Sequence, residues 1–516
     1  MQATAATQPL EASSRWPDQL AAIDIGSNSF RLEIAQLKDG RYRRIDYLKE
    51  TVRLGAGLDG AGMLTESAAE RGLACLRRFA DRLEGFASQQ IRAVATQTLR
   101  EARNRDAFLG RAAQVLGHPV EVISGREEAR LIYAGVAMLQ ASNQPRLVVD
   151  IGGRSTEMIL GRGRRPIRAE SFQIGSVGLS LAYFEDGRFS EAAFRAAQIA
   201  AGAELEEALE PFGRDHWREA LGSSGTVGAV SQVLSANGVT DGSVTPDGLR
   251  WLIEQCLRAG KADRLSLPGL KDERRAVIGG GVSILYTLAT HFGIDALQPA
   301  RGALRQGVIF DLADRLDAAR GRFSGEPGQD IRDLSVAELQ RRFRIDVAHA
   351  ERVAAVADAL YGTVAAEDDA DQLLESRRDL GWAAALHEIG MMVSHHDHHR
   401  HSAYLLAHVD AAGFSQSQQR RLADLLLGQR GGLRKIDAQL ASERFAWQTL
   451  CLRLAIIKCH ARGEIDPHAI RLRREGAHAL LHFRHGWAGT HPRTLFLLQQ
   501  EVATWQRGPI DLRIAD

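Results

Sequence analysis

Apolar positions along the chain follow two rhythms. The first half alternates short apolar runs with amphipathic stretches, and the last third is almost wholly amphipathic. Two of the short runs share one phrase. Ala22-Ile23-Asp24-Ile25-Gly26-Ser27-Asn28-Ser29-Phe30-Arg31 has a counterpart in Val148-Val149-Asp150-Ile151-Gly152-Gly153-Arg154-Ser155-Thr156-Glu157. Each phrase reads as a strand ending in Asp, a glycine turn with hydroxyls, and a second strand. The first continues through Arg31–Leu37, a turn at Lys38-Asp39-Gly40, and a strand over Arg41–Leu48. The second continues through Glu157–Leu160, a turn at Gly161-Arg162-Gly163, and a strand over Pro166–Phe172. Asp-Gly between apolar runs is a hairpin signal. The repeated unit is therefore strand, loop and hairpin, which marks two related lobes.

Between the units, Ala69, Leu73, Leu76, Phe79, Ala80 and Leu83 fall on one face of a helix over Glu66–Phe86. Strands are predicted at Ile91–Thr96 and Val120–Ile123, and a helix at Arg126–Leu139. Further on, Arg275–Ile278 reads as a strand leading into Gly279-Gly280-Gly281. Strands and helices alternate to about residue 310, the pattern of α/β lobes. A Gly/Pro-rich stretch at 320–329 then separates them from a helical region: Ala348–Tyr361, Ala370–Ile389, Gln416–Gly428 and Trp447–Ala461. Alternation returns at His478–Phe483, before a last helix over Arg493–Gln506. The predicted organisation is a disordered leader (1–18), lobe I (19–130), lobe II (131–318), a helical domain (319–475) and a small C-terminal α+β domain (476–516).

At 516 residues the chain is too long for a single core. A net charge of +1 gives no overall field for nucleic acid, and nucleic acid is not an expected partner. No run reaches the roughly 18 apolar residues of a membrane span. The four cysteines form no CxxC and read as buried thiols of a reducing compartment. A cytoplasmic location is expected, peripheral membrane association included. Residues 381–516 hold 17 Arg+Lys against 12 Asp+Glu, and 13 of the 17 histidines. Arginine clusters there and at Arg341/Arg342/Arg344 suit either a polyanion path or solvated helix faces.

The chemistry sits in the loops. A hard cation such as Mg²⁺ takes one or two carboxylates plus phosphate oxygens and water; Asp24 and Asp150, at strand ends, suit it. Gly26, Gly152 and Gly153 let backbone N–H groups approach an anion. Ser27, Ser29, Ser155 and Thr156 add hydroxyls, and Asn28 an amide. One such loop is an ordinary turn; two in matching hairpins argue for a phosphate grip. Gly222-Ser223-Ser224-Gly225-Thr226, before a helix, and Gly279–Gly281 are further candidate anion turns. Ser124 and Glu127 have capping-box spacing, and Glu128 is free to act as a base toward water.

These motifs resemble the exopolyphosphatase/guanosine pentaphosphatase (Ppx/GppA) family of the actin-like superfamily. The resembling stretches are AAIDIGSNSFRLEIA, VATQTLREA, VISGREEARLIYAGV, LVVDIGGRSTEMILG, GSSGT, and LHEIG with HRHSAYLL. The resemblance implies duplicated actin-like (ribonuclease H-like) lobes followed by an all-α HD-like domain. It implies removal of a terminal phosphate from inorganic polyphosphate, or of the 5′ phosphate of guanosine pentaphosphate (pppGpp). By it, Glu128 is the general base, and Asp150 and Glu157, with Asp24, hold Mg²⁺. Ser27, Asn28, Gly152, Gly153, Ser155 and Thr156 grip phosphate, and Arg100 contacts substrate; Ser29, Ser223, Gly225 and Thr226 join the candidate phosphate-binding residues from the loop reading above. A homodimer is implied as well. Arg154 stands where the family has a third glycine: either the loop accepts αR or β backbone there, or the arginine adds charge toward phosphate. The helical domain resembles the HD fold at His349-x-x-Arg352-Val353-Ala354. There His387-Glu388 replaces His-Asp, and the extra methylene argues against a working metal site. The adjacent His395, His396, His398, His399 and His401 suit a transition metal by ligand type, or border a polyanion path. A non-catalytic polyphosphate- or nucleotide-binding regulator and a kinase-like ATPase remain as other classes.

Overall fold

The computed structural model describes residues 18–38, 41–319, 330–365 and 370–515. The leader, the Asp39-Gly40 turn and the 320–329 stretch read from sequence lie essentially outside these residues. The chain divides into two compact units, Met1–Gly328 and Gln329–Asp516.

In the first unit, strands β1 (Gln19–Ile25), β2 (Phe30–Lys38), β3 (Arg41–Glu50), β4 (Ile91–Ala95) and β5 (Val120–Val122) form a sheet ordered β3-β2-β1-β4-β5. Strands β6 (Arg146–Ile151), β7 (Thr156–Arg162), β8 (Arg165–Phe172), β9 (Glu219–Gly222) and β10 (Gln298–Pro299) form a second, ordered β8-β7-β6-β9-β10. The two orders correspond strand for strand. In both, a hairpin runs antiparallel on one side of the central strand and parallel strands lie on the other. The repeat thus extends over whole sheets. β1 is buried along nearly all its length, as a strand covered on both faces must be, whereas edge strand β3 is largely exposed.

The helices of this unit are α1 (Glu66–Arg82), α2 (Gln97–Glu101), α3 (Arg105–Leu116), α4 (Gly125–Leu139), α5 (Ser176–Tyr183), α6 (Glu191–Leu205), α7 (Gly225–Ala236), α8 (Pro246–Ala259), α9 (Asp272–Arg275), α10 (Ile278–His291) and α11 (Leu304–Ala319). Each sheet has its own core, and a third apolar cluster joins α4 and α11 to both sheets through Ala22, Val94, Ile132, Val148, Leu221 and Val308. The α4–α11 crossing is close: a Cβ on Gly307 would fall onto the carbonyl oxygen of Leu131. The strand predicted at Arg275–Ile278 is instead the junction of two helices, with Arg275 ending α9, a turn at Ala276-Val277 and Ile278 opening α10. Gly279–Gly281 form the first turn of α10 rather than an anion loop. The Gly280 N–H donates to Ser180 Oγ (3.0 Å), and a Cβ there would strike α5. These glycines serve helix packing, which leaves the same signature in sequence as a phosphate turn.

The second unit contains α12 (Ile331–Arg342), α13 (Val347–Val364), α14 (Ala370–Leu386), α15 (His398–His408), α16 (Gln416–Gly428), α17 (Asp437–Leu440), α18 (Glu443–Lys458), α19 (Trp487–Thr490) and α20 (Pro492–Trp505). A sheet ordered β11 (Ile470–Glu475), β12 (His478–Phe483), β13 (Asp511–Ile514) shares one apolar core with them. The boundary drawn at 475/476 falls in the turn between β11 and β12. Among the described residues no helix is long and apolar enough to cross a membrane. All four cysteines are buried and unpaired.

Candidate active site

The central strands of the two sheets deliver Asp24 and Asp150 to the mouth of one cleft of about 320 Å³. Gly26, Ser27, Asn28 and Ser29 line it from the first loop, and Gly152, Gly153 and Ser155 from the second. The turns need their glycines: a Cβ on Gly26 would lie 3.0 Å from Ser29 O, and one on Gly152 3.1 Å from Ser155 O. Ser223 to Thr226 close the floor at the start of α7, where Ser224 Oγ accepts the N–H groups of Thr226 and Val227. That side chain caps the helix, leaving Ser223 to the cleft; its hydroxyl donates to Asp150 Oδ2 (2.7 Å).

Helix α4 begins as the sequence indicates, with Ser124 Oγ accepting the Glu127 N–H at 3.1 Å. The next two carboxylates then diverge by about a third of a turn. Glu127 faces inward and receives two hydrogen bonds from Arg130 (both 2.8 Å), in a buried network with Arg92 and Asp311. Glu128 forms part of the cleft wall. Its carboxylate accepts Arg100 Nη1 at 2.7 Å. Arg100 lies behind Glu128 and is not among the cleft-lining residues. Its guanidinium also donates to Gln97 Oε1 (2.9 and 2.6 Å) and to the Ile123 carbonyl (3.0 Å).

Four other predicted residues also sit outside the cleft or face away from it. Arg154 has an ordinary negative φ and pairs with Glu101 at 2.8 Å, so of the two options read for it the backbone one holds. The Thr156 hydroxyl donates to Ile174 O (2.6 Å) and that of Thr226 to Ile151 O (3.0 Å); both fasten backbone. Glu157 is buried below the cleft, where its carboxylate accepts Ser171 Oγ at 2.8 Å.

Four cations that sequence reasoning missed line the cleft: Arg31, Lys49, Arg274 and Arg305. Arg31 lies directly across from Asp24 in the hairpin register and pairs with it at 3.2 Å. Arg305 reaches Asp24 at 3.6 Å and is held from behind by buried Glu33 (3.1 Å). Hairpin alternation carries a signal for Arg31. Nothing local in sequence carries one for Arg305, some 280 residues from Asp24.

Electrostatics separate the carboxylates. Burial raises the Glu128 carboxyl above the usual range, against the pull of Arg100, with Asp24 and Asp150 adding to the rise. Burial likewise raises Asp150, partly offset by the Ser223 hydroxyl. Glu157 is pushed well up, first by burial and then by the charges of Glu128 and Asp150. Buried carboxylates that repel one another call for a cation. The cleft-lining donors are hard oxygens, which fit Mg²⁺: Asp150 faces the cleft and, among the described residues, has no cationic partner at hydrogen-bond distance, while Asp24 is shared with two arginines.

Comparison with known proteins places this geometry. Residues 33–316 match the model of the Ppx/GppA phosphatase family, and residues 331–502 match that of Ppx/GppA phosphatase domain III. A crystal structure of the Aquifex aeolicus Ppx/GppA family member is 27% identical, with a TM-score of 0.50, covering 59% of this chain and 99% of that one. An exopolyphosphatase-like protein is 26% identical (TM-score 0.52), covering 58% of this chain and 98% of its own. An exopolyphosphatase from Cytophaga hutchinsonii, 23% identical with a TM-score of 0.52 over 58% of this chain and 98% of its own, shares the fold. The chain belongs to the Ppx/GppA phosphatase family, a family of phosphoanhydride hydrolases.

Proposed function

We propose that the protein is an exopolyphosphatase, releasing phosphate from the end of inorganic polyphosphate by attack of a water that Glu128 deprotonates. The observation that carries this reading is Glu128 itself: a buried carboxylate on the wall of the cleft that both glycine loops line, held by Arg100. On this reading the Ser27–Ser29 and Gly152–Ser155 loops bind the terminal phosphate groups through N–H and hydroxyl donors. Arg31, Lys49, Arg274 and Arg305 offset the charge of the chain. Hydrolysis of a phosphoanhydride needs positioning and charge neutralisation more than covalent chemistry, and Glu128 takes the proton as water adds. Asp150, with Asp24 and with Glu157 beneath, would hold Mg²⁺, which when bound neutralises phosphate oxygens.

Polyphosphate is favoured over guanosine pentaphosphate by the character of the cleft wall. An aromatic face is the usual stacking platform for a guanine ring, and Tyr47 is the aromatic residue lining the cleft. Arg44 and Arg305 already lie over its ring, at 5.4 and 5.2 Å from the centroid. The name of the 26%-identical relative points the same way. The second reading, pentaphosphate 5′-phosphohydrolysis at the same site, needs a stacking platform for guanine, which Tyr47 offers only in competition with the arginines over its ring.

Phosphate release from long-chain polyphosphate and from pentaphosphate, on one preparation with and without Mg²⁺, tests the proposal. Higher kcat/KM on polyphosphate, dependent on Mg²⁺, is expected. Faster turnover of pentaphosphate would transfer the assignment to the second reading, and binding of either without release would make the protein a regulator. The homodimer that the family resemblance implies is checked by sedimentation of the full chain.

A further inference from the structure

Arg154 stands where the family pattern has a third glycine, and its side chain leaves the loop of the second sheet for an element of the first. The loop itself is fixed on its own side. The Gly152 carbonyl accepts the N–H of Ser176 (2.9 Å), and the Gly153 carbonyl accepts those of Val177 and Gly178 (2.9 and 3.0 Å). Gly175 packs so closely that a Cβ there would overlap the Arg154 nitrogen. The arginine stem then lies in a slot beside the first loop. A Cβ on Gly55 would stand 3.0 Å from Arg154 Cδ and 3.1 Å from Ser27 Cβ, closer than carbon atoms pack. At the far end, Nε and Nη2 both meet Glu101 Oε2, at 3.1 and 2.8 Å.

The chain of contacts continues beyond Glu101. Its other oxygen accepts Gln97 Nε2 at 2.6 Å. Gln97 Oε1 in turn accepts Nε and Nη2 of Arg100, whose Nη1 is given to the Ile123 carbonyl and to Glu128 Oε2. The direction of the Gln97 amide is fixed by its neighbours, because a guanidinium only donates and a carboxylate only accepts. Gln97, Arg100 and Glu101 all belong to α2, at the spacings of three and four residues that share a helix face. Five side chains therefore run from the second loop to the proposed base: Arg154, Glu101, Gln97, Arg100 and Glu128. Polar groups joined in this way inside a protein strengthen or weaken together.

As an ion pair, Arg154–Glu101 is about a third exposed at both ends, and such a pair adds little stability. Its weight lies in what it keeps Glu101 from doing. Only the Gln97 amide separates the Glu101 carboxylate from the Arg100 guanidinium. A Glu101 without its cation would compete with Glu128 for Arg100. We propose that Arg154 is a positioning residue for the base: by occupying Glu101 it leaves Arg100 to Glu128, and it registers the phosphate loop of the second sheet on the helix that holds the base. The proposal rests on the reading of Glu128 as the base, and it gives a residue on a phosphate loop a task away from phosphate.

The test measures kcat and KM for phosphate release by the full chain, on whichever of polyphosphate and pentaphosphate it turns over faster. Arg154→Met is expected to lower kcat about 10-fold, a size of coupling found within one hydrogen-bond network, with KM nearly unchanged. Adding Glu101→Gln removes the competing charge and keeps an oxygen for Gln97, so the double variant Arg154→Met/Glu101→Gln should regain most of the lost rate. Lost packing would not be repaired in that way, and melting temperatures show that each variant is folded. A rise in KM with kcat unchanged would put Arg154 on phosphate and overturn the proposal. Full activity of Arg154→Met, or a loss that Glu101→Gln leaves in place, overturns it too. Glu128→Gln separates the two levels. If it keeps the wild-type kcat, or the wild type releases no phosphate, the base reading fails and the proposal falls with it. If Glu128→Gln is slow and Arg154→Met is not, the base stands and the positioning role alone is lost.

Discussion

Asp24 and Asp150 end corresponding strands, and the residue directly across the hairpin differs in sign: Arg31 faces the first, Glu157 the second. Opposite charges across a strand pair attract and like charges repel. The first loop accordingly keeps its carboxylate neutralised, by Arg31 and by Arg305. The second gathers carboxylates whose ionisation burial resists. One backbone phrase thus produces two electrostatic tools. On the proposed reading the first aims arginines at phosphate, and the second creates the demand for a cation.

The largest effect should come from the residue on neither loop. Glu128→Gln is expected to lower kcat by about 10²- to 10⁴-fold, the usual worth of a general base, measured as phosphate release. Because burial raises the Glu128 carboxyl, the wild-type rate should fall as pH drops through a value above the ordinary carboxylate range. An acid limb near pH 4 would sink the assignment.

Between the loops, Asp150→Asn should raise the half-saturating Mg²⁺ concentration at least 10-fold, a metal-site magnitude, and Asp24→Asn should raise it less. The reverse order would exchange the roles of the two lobes. Arg31→Met should raise KM for polyphosphate roughly 10-fold, as for the loss of one charged hydrogen bond, with a smaller change in kcat. A fall in kcat alone would place Arg31 in transition-state stabilisation instead.

The smallest effect concerns stability. Glu157 ionises at higher pH folded than unfolded, so the folded state holds the extra proton, and its contribution is lost as pH rises through the folded value. In chelator, the melting temperature of Glu157→Gln relative to wild type should therefore climb with pH above the ordinary carboxylate range. A flat difference would mean that a cation or another proton already balances Glu157.

Periodicity and repetition made much of this legible. The twin phrases gave both central strands and both loops, and the Ser124 cap gave the start of α4 and hence the direction of Glu128. What escaped depends on long-range placement. Arg305 meets Asp24 only because α11 returns to the first sheet, and no local pattern encodes that. For Arg100 the resemblance implies a substrate contact, and for Arg154 phosphate is one of two options, but an arginine's reach allows several partners and the fold gives them Glu128 and Glu101. Gly279–Gly281 looked like an anion turn because close helix packing and close anion approach both exclude a Cβ. The histidine-rich segment reads as metal-ligating in sequence, but among the described residues the fold brings together His349, His387 and Glu388 instead.

The clamp on Glu128 has a further consequence. Its neighbour Glu127 is tied into a buried arginine network, and its own carboxylate is held by an Arg100 that is fixed in turn by Gln97 and a backbone carbonyl. Restricting a glutamate side chain costs roughly 1.5–2 kcal/mol of rotamer entropy. Here that loss is incurred once, when the chain folds, so the base need not be ordered anew each time a substrate enters.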